Sequence, residues 1–136
     1  MSKRLLHILH CAACDAVVSE PVSIELEDEL PPVERNRPAF SRGEGWLTKR
    51  PVPPASRPTN RKILYSNFVL ISLESLLEGV ADSPTNQLMG CCGRDGIGGP
   101  NRICSCGEHV GTEFSDCWMP WFFEPDPGAT YWEVLQ

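Results

Sequence analysis

Seven cysteines define what chemistry this chain can do: Cys11, Cys14, Cys91, Cys92, Cys104, Cys106 and Cys117. Four of them fall in two tight pairs, Cys11-Ala-Ala-Cys14 and Cys104-Ser-Cys106-Gly107. Pairs this close cannot staple distant parts of a chain as local disulfides, but a turn of this length delivers two thiolates to adjacent corners of a metal tetrahedron. Zinc takes four such ligands, with sulfur about 2.3 Å from the metal. A glycine after the second cysteine lets backbone amides approach the sulfurs, so Cys104-x-Cys106-Gly107 reads as a tighter version of the same knuckle. The two knuckles are separated by 89 residues. Closing so long a loop costs little more than closing a short one, because the entropy grows only logarithmically. The spacing favours one site built from Cys11, Cys14, Cys104 and Cys106.

Cys91, Cys92 and Cys117 remain, with His109 as the nearest fourth ligand, so the expectation is one or two structural zinc ions. A second partition stays open. In it Cys91 or Cys92 joins Cys104, Cys106 and Cys117, while Cys11 and Cys14 pair with His7 or His10. Adjacent Cys91 and Cys92 are not expected to ligate one metal together, since successive side chains of extended backbone point apart. One of the two is expected to be buried as a small hydrophobe. His7 and His10, on a presumed strand, read as packed or half-exposed side chains rather than ligands.

An enzymatic reading is weaker. Cys106-Gly107-Glu108 matches the first half of a zinc deaminase signature, but the required downstream Pro-Cys-x-x-Cys is missing. A Cys nucleophile with His109 and Asp116 is possible on composition alone, and seven cysteines offer many such triples. Four thiolates would saturate a zinc and leave no open position for water. In the Asp95–Asn101 segment two side-chain oxygens are too few for calcium, and no Lys stands where a phosphate-binding loop needs one. Tight turns around the cysteines account for its glycines better.

The elements that must position these cysteines read mostly as strands. Leu5–Leu9 leads into the first knuckle, and Val17–Leu26 returns from it with Val22, Ile24 and Leu26 alternating with polar residues. Trp46-Leu47 anchors a short strand, and Phe68–Ile71 is a buried one. Ser72 then offers an N-cap to a short helix with Leu73, Leu76 and Leu77 on one side and Gly79 beyond its end. Gly90–Pro100 holds five glycines, which predicts convoluted turns rather than helix or strand. Trp118–Phe123 reads as a strand, and Asp126-Pro127 as the start of a helical turn within 127–134. The aromatics Trp118, Trp121, Phe122, Phe123, Tyr131 and Trp132 should supply core. The expected fold is α+β, mainly β: a small zinc-ribbon-like domain spanning 1–136.

Charge divides the chain in three. Residues 1–30 carry 2 positive and 6 negative charges, 31–62 carry 8 and 2, and 63–136 carry 2 and 10, for a net charge of −6. The basic middle, 31–62, also holds seven prolines and reads as a loop-like, Pro-rich insertion whose cations offset acidic neighbours. A length of 136 residues fits one domain. No apolar run approaches the roughly 18 residues of a membrane-spanning helix. His7 and His10 interrupt the apolar run after Lys3-Arg4, which argues against a signal peptide. An odd number of cysteines argues against a disulfide-stapled secreted domain, so the expected compartment is the cytoplasm.

The block Gly90-Cys-Cys-Gly-Arg-Asp-Gly-Ile-Gly-Gly-Pro-Asn101, followed by Cys104-Ser-Cys-Gly-Glu-His-Val-Gly-Thr-Glu-Phe-Ser-Asp-Cys-Trp118, resembles a functionally uncharacterised bacterial family of small cysteine-rich proteins. Its members share an N-terminal Cys-x-x-Cys, a variable Pro-rich middle and this Gly/Cys-rich block. The resemblance spans about 45 residues at the two ends, departs over 27–65, and implies zinc binding in the cytoplasm without an activity. Together these readings favour a non-catalytic zinc protein that acts as a protein-interaction module, of an immunity or accessory type, whose acidic ends mask a basic partner. The alternative is a nucleic-acid-binding zinc ribbon using the basic middle. A zinc hydrolase or deaminase comes third.

Overall fold

A computed structural model describes residues 6–26, 34–51, 62–63 and 67–135. These form ten strands in one mixed sheet: β1 (Leu6–Cys11), β2 (Val22–Leu26), β3 (Glu44–Pro51), β4 (Lys62–Ile63), β5 (Asn67–Ile71), β6 (Ala81–Asp82), β7 (Arg102–Ile103), β8 (His109–Phe114), β9 (Phe122–Pro125) and β10 (Thr130–Leu135). Across the sheet they run β4-β10-β1-β2-β3-β5-β9-β8-β7-β6. β2 and β3 pair in parallel, and the neighbours β1–β10, β3–β5 and β8–β9 antiparallel. The chain is therefore mainly β. Among the described residues the helical content is a single 3-10 turn, Leu73–Ser75.

The two-residue period is clearest in β1, where His7, Leu9 and Cys11 are buried and Leu6, Ile8 and His10 lie on the other face. Leu9 and Cys11 join Val18, Val22, Val69, Ile71, Val80, Cys104, Val110, Phe123 and Trp132 in the main core. A smaller cluster of Phe40, Trp46 and Leu70 packs beside Phe122. The expected aromatic contribution is thus divided: Phe123, Tyr131 and Trp132 are buried, whereas Trp118 is 56% exposed.

Three expectations need correction. The helical turn expected within 127–134 is instead a tight turn followed by β10. Asp126 starts it, accepting the Gly128 N–H on its carboxylate and the Ala129 N–H on its carbonyl. The β-branched and aromatic residues from Thr130 onward then pair with β1 along its whole length. After Ser72 the helix stops at one turn. The Ser72 hydroxyl does cap it, accepting the Glu74 N–H, but Leu76 and Leu77 turn away to pair with the 18–19 segment. Lastly, the strand expected over Trp118–Phe123 is displaced to β9, and Cys117 and Trp118 lie in the turn before it. In the basic middle the strand expected at Trp46-Leu47 is present as part of β3. β3 lies between β2 and β5, with Trp46 buried opposite Leu70, and its register shifts between Leu47 and Pro51. The rest of that middle, 31–33 and 52–61, lies outside the described residues.

The Gly-rich stretch from Pro84 to Pro100 contains no strand or helix. Polar side chains hold it in place of a ladder. The Asn86 amide donates to the carbonyls of Gly98, Gly99 and Pro100. Asn101 pairs its own amide with both backbone groups of Glu113. Arg94 bridges Asp82 and the Asn86 carbonyl.

Candidate metal centre

β1 ends at Cys11, and the chain reverses over Ala12–Cys14. The Asp15 N–H closes this turn on the Cys11 carbonyl at 2.8 Å, and the Cys11 N–H donates to Ala16. Asp15 takes a left-handed φ of 63°, the place a glycine fills in many such turns. Its carboxylate is fixed by the Tyr131 hydroxyl at 2.6 Å. Tyr131 in turn stacks on His10, whose Nδ1 faces the Asp15 carbonyl and whose Nε2 lies 2.9 Å from Glu133.

The second knuckle is the reversal between β7 and β8. The Cys104 N–H donates to Glu108, and the Gly107 N–H to Cys104. Gly107 has φ 93°, a conformation that a side chain would strain. The two knuckles share one construction, with a left-handed residue immediately after the second cysteine.

Curling of the sheet brings these turns face to face. β1 and β7 stand six places apart in strand order, roughly 29 Å if the sheet were flat. Yet the Cys11 and Cys106 sulfurs are 3.7 Å apart, and those of Cys14 and Cys104 are 3.5 Å apart. All four sulfurs lie within 4.8 Å of one another. A tetrahedral zinc with sulfur ligands needs edges of about 3.8 Å, so the donor set and its geometry both suit such an ion. Cys11 and Cys104 are buried in the core, while Cys14 and Cys106 are exposed. One edge of the cluster is thus embedded and the other faces water.

The other three cysteines form a separate group. Cys91 and Cys92 sit in the turn opened by Gly90, and Cys117 in the turn after β8. Their sulfurs also lie within 4.8 Å of one another, with Cys92 to Cys91 at 3.4 Å and Cys92 to Cys117 at 2.7 Å. The expectation that neighbouring Cys91 and Cys92 point apart fails, because the backbone here is a bend and not a strand. Both are exposed, so neither serves as a core hydrophobe. Among the described residues the grouping of cysteines follows the first partition.

Histidines lie outside both groups. His109 Nε2 is 2.7 Å from the Ser83 hydroxyl, with Thr85 also in reach, so it is a hydrogen-bonding partner of that loop. His7 packs edge-on against Trp132. Glu108 gives its backbone carbonyl to the second knuckle and exposes its side chain.

No family model, curated protein or solved structure matches the chain.

The electrostatics of the four-cysteine group are uneven. Burial pushes the Cys11 thiol up. At Cys14 the Ala16 backbone N–H favours the thiolate, but the surrounding sulfurs, Cys104 foremost, outweigh it and push the thiol up to about 12. Burial also opposes ionisation of Cys104. There the Cys106 backbone N–H and hydrogen bonds from Cys14, Ser105 and Cys106 prevail and lower it to about 7. A cation bound among these four sulfurs would displace the protons they still carry.

Sequence reading passed over Asp15 and the structural role of Asp116. Asp116 is fully buried, and its carboxylate accepts the backbone N–H groups of Cys91, Cys92 and Cys117 and the Trp118 indole N–H, at 2.8–3.0 Å. Burial alone would raise its pKa, but these donors hold it below the usual carboxylate range. The signals were modest: an Asp placed where glycine usually follows a knuckle, and an Asp directly before a cysteine.

Proposed function

We propose that Cys11, Cys14, Cys104 and Cys106 hold a structural Zn²⁺ and that the protein is a non-catalytic interaction module. One observation carries the metal reading: two knuckles six strands apart converge four sulfurs at the spacing a tetrahedral zinc requires. In this arrangement the ion ties the first third of the chain to the last. Four thiolates complete its coordination, so no position is left for a water or substrate. The zinc-ribbon character of the domain rests on this paired-knuckle construction.

Support for an interaction role comes from the surface. Leu88, Met89, Ile97 and Trp118 are each more than half exposed, and all belong to the Gly/Cys-rich loops. A contiguous apolar patch on these loops would serve as a contact surface. The net charge of −6 favours a basic partner. Cations of the basic middle are partly spent within the chain. Arg42 forks onto Glu20, and Arg37 pairs with Glu34. That favours a protein partner over nucleic acid. Thiols that ligate a metal persist in a reducing compartment, so the cytoplasm fits this reading, and the resemblance to the cysteine-rich bacterial family implies the same.

Zinc analysis of the purified, reduced chain tests the metal. The expected result is one tightly held zinc that withstands substitution of Cys91, Cys92 and Cys117 but not of Cys14. Binding to a basic protein and to random oligonucleotides over a salt series tests the partner class. The expected result is association with the basic protein that weakens in salt, and none with the oligonucleotides.

A further inference from the structure

Cys91, Cys92 and Cys117 share no residue with the four-cysteine centre, and their surroundings differ from it in one respect. Their backbone does not depend on the sulfurs for its shape. The buried Asp116 carboxylate gathers the N–H groups of all three cysteines. Gly90 is the residue that permits this approach, since a Cβ there would run into the same carboxylate. The turns are therefore tied together from below by hydrogen bonds. Cys91 and Cys92 are exposed and Cys117 half-buried, which leaves three sulfurs gathered at the surface.

The charge balance points to what they take. Three sulfurs that give up their protons on binding, beside a buried carboxylate, make a donor set suited to a cation. Arg94, the cation nearest in sequence, is engaged with Asp82 and the Asn86 carbonyl. Soft sulfur donors select soft cations, Zn²⁺ and Cu⁺ above all in a cell. Three ligands from the protein are what an open zinc site has, with its fourth position left to a solvent or exogenous ligand. Cu⁺ is satisfied by three thiolates alone.

We propose that Cys91, Cys92 and Cys117 form a second metal site, an open three-thiolate face that takes one soft, thiophilic cation and leaves its outer side accessible. Binding breaks the S–H bond of each ligating thiol and passes the proton to solvent. No electron moves. The site differs from the closed centre in being exchangeable, because its metal is reached directly from water. This inference does not depend on the four-cysteine reading.

The test is metal counting by native mass spectrometry on the full chain, reduced and kept free of oxygen, titrated with Zn²⁺ and separately with Cu⁺. For the wild type the expected result is a second metal equivalent for at least one of the two ions, bound more weakly than the first. The Cys91→Ser/Cys117→Ser variant should lose that equivalent and keep the first. Cys14→Ser should lose the first and keep the one at the open site. Because Asp116 and not the sulfurs holds this backbone, the double variant should retain the wild-type far-ultraviolet circular dichroism. Cys117→Ser alone should weaken the second equivalent by more than the roughly 10–100-fold that loss of a supporting group costs. The inference is overturned if neither ion gives a second equivalent, if the second equivalent survives in the double variant, or if Cys92 and Cys117 are recovered as a disulfide with no metal under these conditions.

Discussion

The sulfurs of Cys11 and Cys106 lie 3.7 Å apart although their strands, β1 and β7, stand six places apart in the sheet. Their meeting closes the curl of the sheet, and it places two knuckles from opposite ends of the chain around one point. A cation at that point would act as a long-range cross-link whose loss frees both ends.

The four cysteines should not respond alike to substitution. Each Cys→Ser change should abolish tight zinc binding. Cys14 and Cys106 are exposed, so their variants should fold and show a lowered melting temperature. Cys11 lies in the main core, and a hydroxyl there adds about 1–3 kcal/mol of unsatisfied burial. Cys11→Ser should therefore be the less stable of the pair Cys11→Ser and Cys14→Ser even in excess chelator. Chemical denaturation of both apo-proteins checks the order.

Asp15 gives the first knuckle its left-handed corner. Asp15→Ala forces alanine into that conformation and removes the Tyr131 contact, at a cost of about 1–2 kcal/mol for the backbone alone. Asp15→Gly should recover the backbone part and not the hydrogen bond. Urea denaturation of the three proteins should order them wild type, glycine, alanine. Equal stability of the two variants would show that the backbone corner carries no strain.

Asp116 makes acid stability predictable in sign. Its folded-state pKa is depressed by the amides around it, so its contribution is complete above the ordinary Asp range, about 4. That contribution is lost as pH falls through the lower folded value. Asp116→Asn should lower the melting temperature of the apo-protein at neutral pH by on the order of 5–10 °C. The difference from wild type should shrink on acidification below pH about 4, where the native carboxylate also protonates. Melting curves across that pH range check it.

How much of this was legible in the chain depended on the length scale. The two knuckles follow from cysteine spacing, because a two-residue or one-residue gap fixes local geometry. Spacing leaves two partitions of the seven cysteines open, and only the curl of the sheet groups Cys11 and Cys14 with Cys104 and Cys106. β1, β2 and β5 followed from alternation and β-branched residues. The turn at Asp126-Pro127 was misread because Asp-Pro opens tight turns as readily as helices. Only pairing with β1, a contact across more than a hundred residues, decides between them. Leu73, Leu76 and Leu77 misled for the same reason, since the bridge from Ser19 to Leu76 is invisible to a local pattern. His109 reads in sequence as the nearest fourth ligand for Cys91, Cys92 and Cys117. At the start of β8 its Nε2 instead meets the Ser83 hydroxyl, and it joins neither cysteine group.

The most direct measurement of the central claim is X-ray absorption at the zinc edge. It should be made on the Cys91→Ser/Cys92→Ser/Cys117→Ser protein, in which the four-cysteine group alone remains. Four sulfur ligands at about 2.3 Å, with no nitrogen or oxygen in the shell, is the predicted result. Fewer than four sulfurs, a bound water or imidazole, or a protein that purifies reduced and folded without zinc would contradict it.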